Sequence, residues 1–226
     1  MEISGELTQK LMWMLNLFEN DSGKKENDYR TVYRYADGNR GRRQITLGRG
    51  FTEDGGALKK VVAAYRANGG KNEQLLTKEA KIGNGTLVYD SAFIKALSGE
   101  WQNPAMQAAQ DQVFVDVYLR PAVTYAAKQG FTFPLSIAVC VDSFLHSGRM
   151  TPALVASFPE RPPVRGGDEK AWIRAYCKAR LAWFTNTSRA ILRTCKFRPS
   201  FFLDQIKSGN WNLECPLNIP EKGRIC

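Results

Sequence analysis

The sequence predicts an α+β fold that is predominantly helical, with one small β-hairpin, and three observations lead there. Apolar residues recur at three- and four-residue intervals over much of the chain. One stretch alone, residues 31–52, combines β-forming residues with turn chemistry. A third segment, PLSIAVCVDSFLHSG, is apolar almost all round, as expected of a helix at the centre of a bundle.

In chain order, Leu7, Leu11, Met14, Leu15 and Phe18 mark the buried face of a first helix. Glu19 stands at its C-terminal end, and Asn20-Asp21-Ser22-Gly23 supplies the stop. TVYRYA, the turn residues DGNRGR and the returning RQITLGRGF then read as a hairpin, the one convincing β unit of the sequence. GALKKVVAAYRANGG predicts a helix ending at Gly69, and residues 75–101 short helices and turns. A long helix starts at Pro104 and is interrupted or kinked at Pro121. SFPERPPVRGGDE is too rich in proline and glycine for regular structure and is short enough for a surface loop within one domain. Asp168 is placed to cap a helix through Trp172, Tyr176 and Trp183, and a last helix covers residues 199–207.

With 226 residues and 43% hydrophobic content the chain can bury a real core. No run approaches the roughly 20 apolar residues that cross a bilayer, so no membrane span is expected. The opening MEISGELTQKLMWMLNLFEN lacks the basic start, uninterrupted apolar core and cleavage site of a secretory signal. Five cysteines without metal-ligand spacing indicate neither a zinc site nor a disulfide framework. Cys140 and Cys177 read as core residues, and Cys215 and Cys226 could pair at the tail. A formal charge of +10 and a pI near 9.5 imply attraction to polyanions, which concerns partners and not chemistry.

The candidate chemistry lies in Glu19, Asp37 and Thr46: a carboxylate at a helix end, then a hairpin with an Asp and a Thr. Glycosidic cleavage needs one protonated carboxyl for the leaving oxygen and one ionised carboxylate to activate water or attack carbon. A Glu partly covered by neighbours such as Phe18 stays protonated, whereas an Asp on a wet hairpin stays ionised. Taken alone, the same residues also read as a solvent-facing Glu and an Asp that merely closes its turn.

The order of motifs over residues 7–217 resembles the bacterial chitosanase family of the lysozyme superfamily. The matching stretches are LFEN, VYRYADG, TLGRGFT and GGALKKVVAAY, followed by VYLRPAV, VDSFLHSG, GGDE, KAR and FFLDQIKSGNWNL. The resemblance implies a two-lobed, lysozyme-like helical domain spanning residues 1–226, with the hairpin beside the cleft. It implies an inverting endo-hydrolase of chitosan or a related β-1,4-linked glucosamine polymer. Glu19 corresponds to the family's general acid, and Thr46 to the Thr that positions the attacking water.

Asp37 is the nearest acid to the family's general base, although the turn before Thr46 reads NRGRR and Asp37 precedes it by several residues. The reading requires Asp37 to lie on the strand paired with the Thr46 strand. If it does not serve, another carboxylate such as Asp21, Glu53 or Asp54 must, or the protein is a poor enzyme. Where the family holds a glucosamine ammonium with an Asp, the aligned position is Ala57, and Glu53 or Asp54 is the expected substitute. Tyr35 is expected to line the cleft. Asp142, Arg180 and Arg198 resemble the family's buried support for the acid, and an Asp within so apolar a helix needs a cationic neighbour in any case. His146, on the same helical face, reads as a hydrogen-bonding structural residue.

No metal or organic cofactor is implied. The expected partner is a polysaccharide, and the expected form a monomer acting outside the cell or on a cell wall. A peptidoglycan-cleaving lysozyme or endolysin uses the same two carboxylates. A third reading is a non-enzymatic polyanion binder with Arg40, Arg42, Arg43 and Arg49 as a phosphate-contacting patch, although nothing in the chain resembles a module that reads nucleic-acid sequence.

Overall fold

The computed structural model describes residues 2–20, 29–219 and 222–225. Its elements in chain order are α1 (Gly5–Glu19), β1 (Val32–Tyr33), β2 (Thr46–Leu47), β3 (Phe51–Thr52), α2 (Ala57–Ala67), α3 (Glu73–Leu76), α4 (Ser91–Gly99), α5 (Pro104–Phe114), α6 (Arg120–Gln129), α7 (Pro134–Ser147), α8 (Pro152–Val155), α9 (Glu169–Asn186), α10 (Ala190–Arg193), α11 (Phe197–Lys207), β4 (Leu217–Ile219) and β5 (Gly223–Ile225). The fold is thus mostly helical with little sheet, as the periodicity predicts. No helix of the described residues is long and apolar enough to cross a membrane.

The chain divides into two compact units, one of Met1–Phe18 with Tyr118–Cys226, the other of Glu19–Val117. In the first, α7 is the central helix: ten of its residues are buried, from Leu135 to Leu145, and α6, α9 and α11 pack against it. Its first turn would leave amides unpaired, and the Glu169 carboxylate takes those of Thr132 and Phe133 just before it at 2.9 Å. Asp168 caps α9 through the Ala171 amide at 2.7 Å, as expected. The apolar face of α1 closes this unit, with the Phe18 ring edge-on to Phe197, Phe201 and Phe202 at 5.5, 5.6 and 5.9 Å.

The second unit contains a three-stranded antiparallel sheet in the order β1-β2-β3. Tyr33 pairs with Thr46 and Thr46 with Thr52, while Val32 pairs with Leu47 and Leu47 with Phe51. Ile45, Leu47 and Phe51 are buried and Thr46 only half so, which is the alternation of a sheet with one face on the core. Helix α2 lies against β3 and α5.

Two features depart from expectation, and the interruption expected at Pro121 takes a particular form. The interruption before Pro121 is a π turn over Val115–Leu119, which carries the helical path on from α5 into α6. A proline offers no amide and crowds the carbonyl four residues back, so the local change of hydrogen-bond register fits its position. Residues Pro163–Arg165 form a 3-10 turn inside the loop expected to lack regular structure. A second hairpin, β4 with β5, went unexpected because each strand has only three residues and Lys222 and Arg224 break any apolar pattern.

Candidate active site

The hairpin presents one row of side chains on the face turned away from its core. Thr46 stands between its cross-strand partners Tyr33 and Thr52. Two residues along from Tyr33 on that row comes Tyr35, 55% exposed and stacked on Tyr33 with ring centroids 5.2 Å apart and 19° between planes. The pair makes an apolar platform suited to the face of a sugar ring.

Asp37 is not on a strand. Regular pairing stops at Tyr33, and Asp37 lies four residues beyond it, in the irregular approach to the turn. The antiparallel path nevertheless continues, because the Gln44 amide donates to the Tyr35 carbonyl at 3.0 Å and that of Gly38 to the Arg42 carbonyl at 2.9 Å. Across this path the Gln44 side chain, only 5% exposed, donates from Nε2 to Asp37 Oδ1 at 3.1 Å while its Oε1 accepts from the Asp54 amide at 3.1 Å. Asp37 is therefore held by a buried amide from the strand side of the turn instead of by strand pairing. Gln44 carries no signal in the sequence, since its role depends on both ends of its side chain finding partners in the fold.

Asp54 and Glu53 face inward, contrary to the expectation that one of them holds substrate. Asp54 accepts from the Asn39 amide at 2.6 Å and forms an ion pair with Arg42, whose guanidinium also donates to the Gly83 carbonyl at 3.1 Å. Burial opposes ionisation of Asp54, but the Asn39 amide and Arg42 outweigh it and hold its pKa below the ordinary carboxylate value. Gly38 is required beside it, because a Cβ there would stand 2.5 Å from Asp54 Oδ2 and 2.7 Å from the Arg42 carbonyl. Glu53 is 2% exposed and accepts from the amides of Gly83, Gly85 and Ile45 at 3.0, 3.1 and 3.4 Å. These two carboxylates tie the hairpin and its turn to the loop at residues 83–85, and neither presents itself to an external ammonium. Asp21, the remaining alternative, lies outside the described residues.

The proposed polyanion patch is likewise dispersed. Arg42 is committed to Asp54, and Arg49 is 1% exposed, paired with Asp111 and enclosed by the Tyr29 and Phe114 rings at 5.3 and 5.2 Å. Arg40 and Arg43 alone of the four are exposed.

Glu19 is the last residue of α1 and is half-buried. The residue before it, Phe18, lies within the first unit, where Arg198 donates to its carbonyl at 3.3 Å and to Asp142 Oδ1 at 2.6 Å. Asp142 is wholly buried and takes a second guanidinium from Arg180. Its burial opposes charge, and Arg180 and Arg198 outweigh that cost, so its pKa is held low. The structure thus brings Asp142, Arg180 and Arg198 together as the sequence anticipates. His146 Nε2 lies 3.3 Å from Cys195 Sγ, and burial with Arg198 and Arg180 nearby pushes its pKa well below the usual histidine value. Cys140 and Cys177 are buried thiols, the latter with its pKa raised by burial to about 12. Cys215 is disulfide-bonded, and Cys226 lies outside the described residues.

The chain is a glycoside hydrolase. Residues 14–217 match glycosyl hydrolase family 46, and the chain belongs to that family. It is 26% identical over 231 residues to a chitosanase of Bacillus subtilis (strain 168), covering 91% of this chain and 79% of the relative. Its fold is similar to the native chitosanase of Bacillus subtilis MY002, with a TM-score of 0.83, 22% identity and 99% of both chains covered. It is also similar to the Gynuella sunshinyii family 46 chitosanase in complex with chitotetraose, with a TM-score of 0.85, 21% identity and coverage of 99% and 98%.

Proposed function

We propose that this enzyme is an inverting endo-hydrolase of β-1,4-linked amino-sugar polymers, chitosan foremost, with Glu19 as general acid, Asp37 as general base and Thr46 positioning the water. The observation that carries the reading is the hairpin row, on which Gln44 fixes Asp37 across from the strand that bears Thr46. Membership of family 46 and the chitosanases among its relatives support the substrate. Glu19 protonates the glycosidic oxygen while Asp37 takes a proton from a water that Thr46 helps to orient, and the water attacks the anomeric carbon from the opposite face. Inversion requires room for that water between the carboxyls, a separation of about 6.5–9.5 Å. The Tyr33–Tyr35 platform receives a neighbouring sugar. The two compact units serve one catalytic domain, acting as a monomer outside the cell or at a cell wall.

Glu19→Gln tests the assignment. Turnover of soluble chitosan is expected to fall by about two to four powers of ten with the melting temperature retained. A variant close to the wild-type rate removes Glu19 from the mechanism. Cleavage of purified peptidoglycan with none of chitosan would replace the substrate by that of a lysozyme.

A further inference from the structure

The exposed charge of the chain gathers in one stretch. Between residues 149 and 196 nine Lys and Arg side chains are exposed against two exposed acids, Glu160 and Asp168, and Asp168 is taken up in capping α9. Among the described residues none of the nine is in an ion pair. This excess makes up most of the formal +10 of the chain. It borders a cavity within the first unit, a groove of about 860 Å³ lined by α9 from Ala171 to Asn186, a length of about 22 Å at the rise of an α-helix. Alanines at 171, 175, 179 and 182 recur along one face of the helix there, with Arg174 and Lys178 one turn apart beside them. A second cavity of about 530 Å³ shares Phe158, Pro159 and Glu160 with the groove and adds Arg161 and Arg165. No residue of either cavity is among those assigned to the chemistry.

The lining selects among polyanions. A docked amphipathic helix needs deep pockets for large apolar anchors, whereas the α9 side of this groove is mostly alanine. Sugars need a ring to stack on and partners for their hydroxyls, and the half-buried Trp183, the Asn186 amide and the Ser157 and Thr187 hydroxyls supply both. Arg174 and Lys178 match carboxylates, and they repel a polycation such as chitosan.

We propose that the α9 groove is a non-catalytic binding site for an acidic polysaccharide, a chain of sugars bearing carboxylates, which holds the enzyme to a glycan other than the one it cuts.

The test measures by calorimetry the binding of polygalacturonate to the full chain, beside polyglutamate and double-stranded DNA of matched charge. Polygalacturonate is expected to bind at least about tenfold tighter than either control, the size of one good ring contact, with affinity falling as salt is added. Arg174→Glu combined with Lys178→Glu, both at exposed positions and checked by melting temperature, should weaken it at least about tenfold, the effect of two partly screened charges reversed at close range. The same reversal at the exposed Arg40 and Arg43 keeps the net charge equal and should weaken it less than about threefold. Equal binding of the three polymers, equal losses in the two double variants, or no binding of polygalacturonate at low salt overturns the proposal. Loss of chitosan hydrolysis in the folded Arg174→Glu, Lys178→Glu variant would make the groove part of the catalytic site and overturn it as well.

Discussion

The carboxylate of Asp37 is held by a buried side chain. Gln44 bridges it to the Asp54 amide, so removing the Gln44 amide loosens the proposed base without touching substrate. Gln44→Leu is expected to lower kcat by about tenfold, or 1.4 kcal/mol of barrier, with KM little changed. Equal losses in kcat and in thermal stability with no such split would make Gln44 a structural residue only. His146 offers a second test by its titration. Its folded pKa is depressed, so the unfolded chain binds the extra proton first, and stability present at neutral pH is lost as the pH falls through the unfolded value of about 6.5. His146→Gln should flatten the fall in melting temperature between neutrality and pH 5, and a slope as steep as wild type would assign that fall to other groups.

At the scale of elements, the hairpin is held from outside itself. Glu53 accepts three amides, two of them from the loop at residues 83–85. Glu53→Ala strands those buried donors, at about 1–3 kcal/mol each for any that water does not reach, and should lower both the melting temperature and activity. If activity falls while the melting temperature holds, Glu53 acts on substrate after all. This arrangement also marks where the sequence stops being legible. Helices α1, α7 and α9 announce themselves because their apolar spacing and, for α9, the Asp168 cap are local properties. The general acid at the end of α1 and the Asp142 network follow from them, since a helix end and a buried charge each have a local signature. The destinations of Glu53 and Asp54 have none, because their partners sit between 8 and 32 residues away. The position of Asp37 beyond the strand was hidden for the same reason: a Gln side chain, not strand pairing, fixes it. Strands of two or three residues, such as β4 and β5, are too short to show a period at all.

For the molecule as a whole, Asp142 joins three stretches of chain: α7 which carries it, α9 through Arg180, and α11 through Arg198, which in turn holds the carbonyl of Phe18. Asp142→Ala leaves two buried guanidiniums uncompensated and is expected to cost about 3–5 kcal/mol. Thermal or denaturant unfolding measures it, and an unchanged midpoint would contradict the burial. Because the folded pKa of Asp142 is depressed, its contribution is complete above the unfolded value of about 3.9 and disappears as the pH falls through the folded one, so the variant's deficit should shrink in strong acid.

Helix α1 is separated by about a hundred residues from the rest of its own unit, which resumes at Tyr118, and the rings that receive Phe18 arrive only with Phe197, Phe201 and Phe202. On the ribosome the first helix therefore emerges with an apolar face and nothing to cover it, while the contiguous stretch Glu19–Val117 can complete its internal contacts first. The helix that ends in the proposed catalytic acid is among the last to be seated. A chain shortened before Phe197 lacks all three of those rings, so α1 has no seat until α11 has been made.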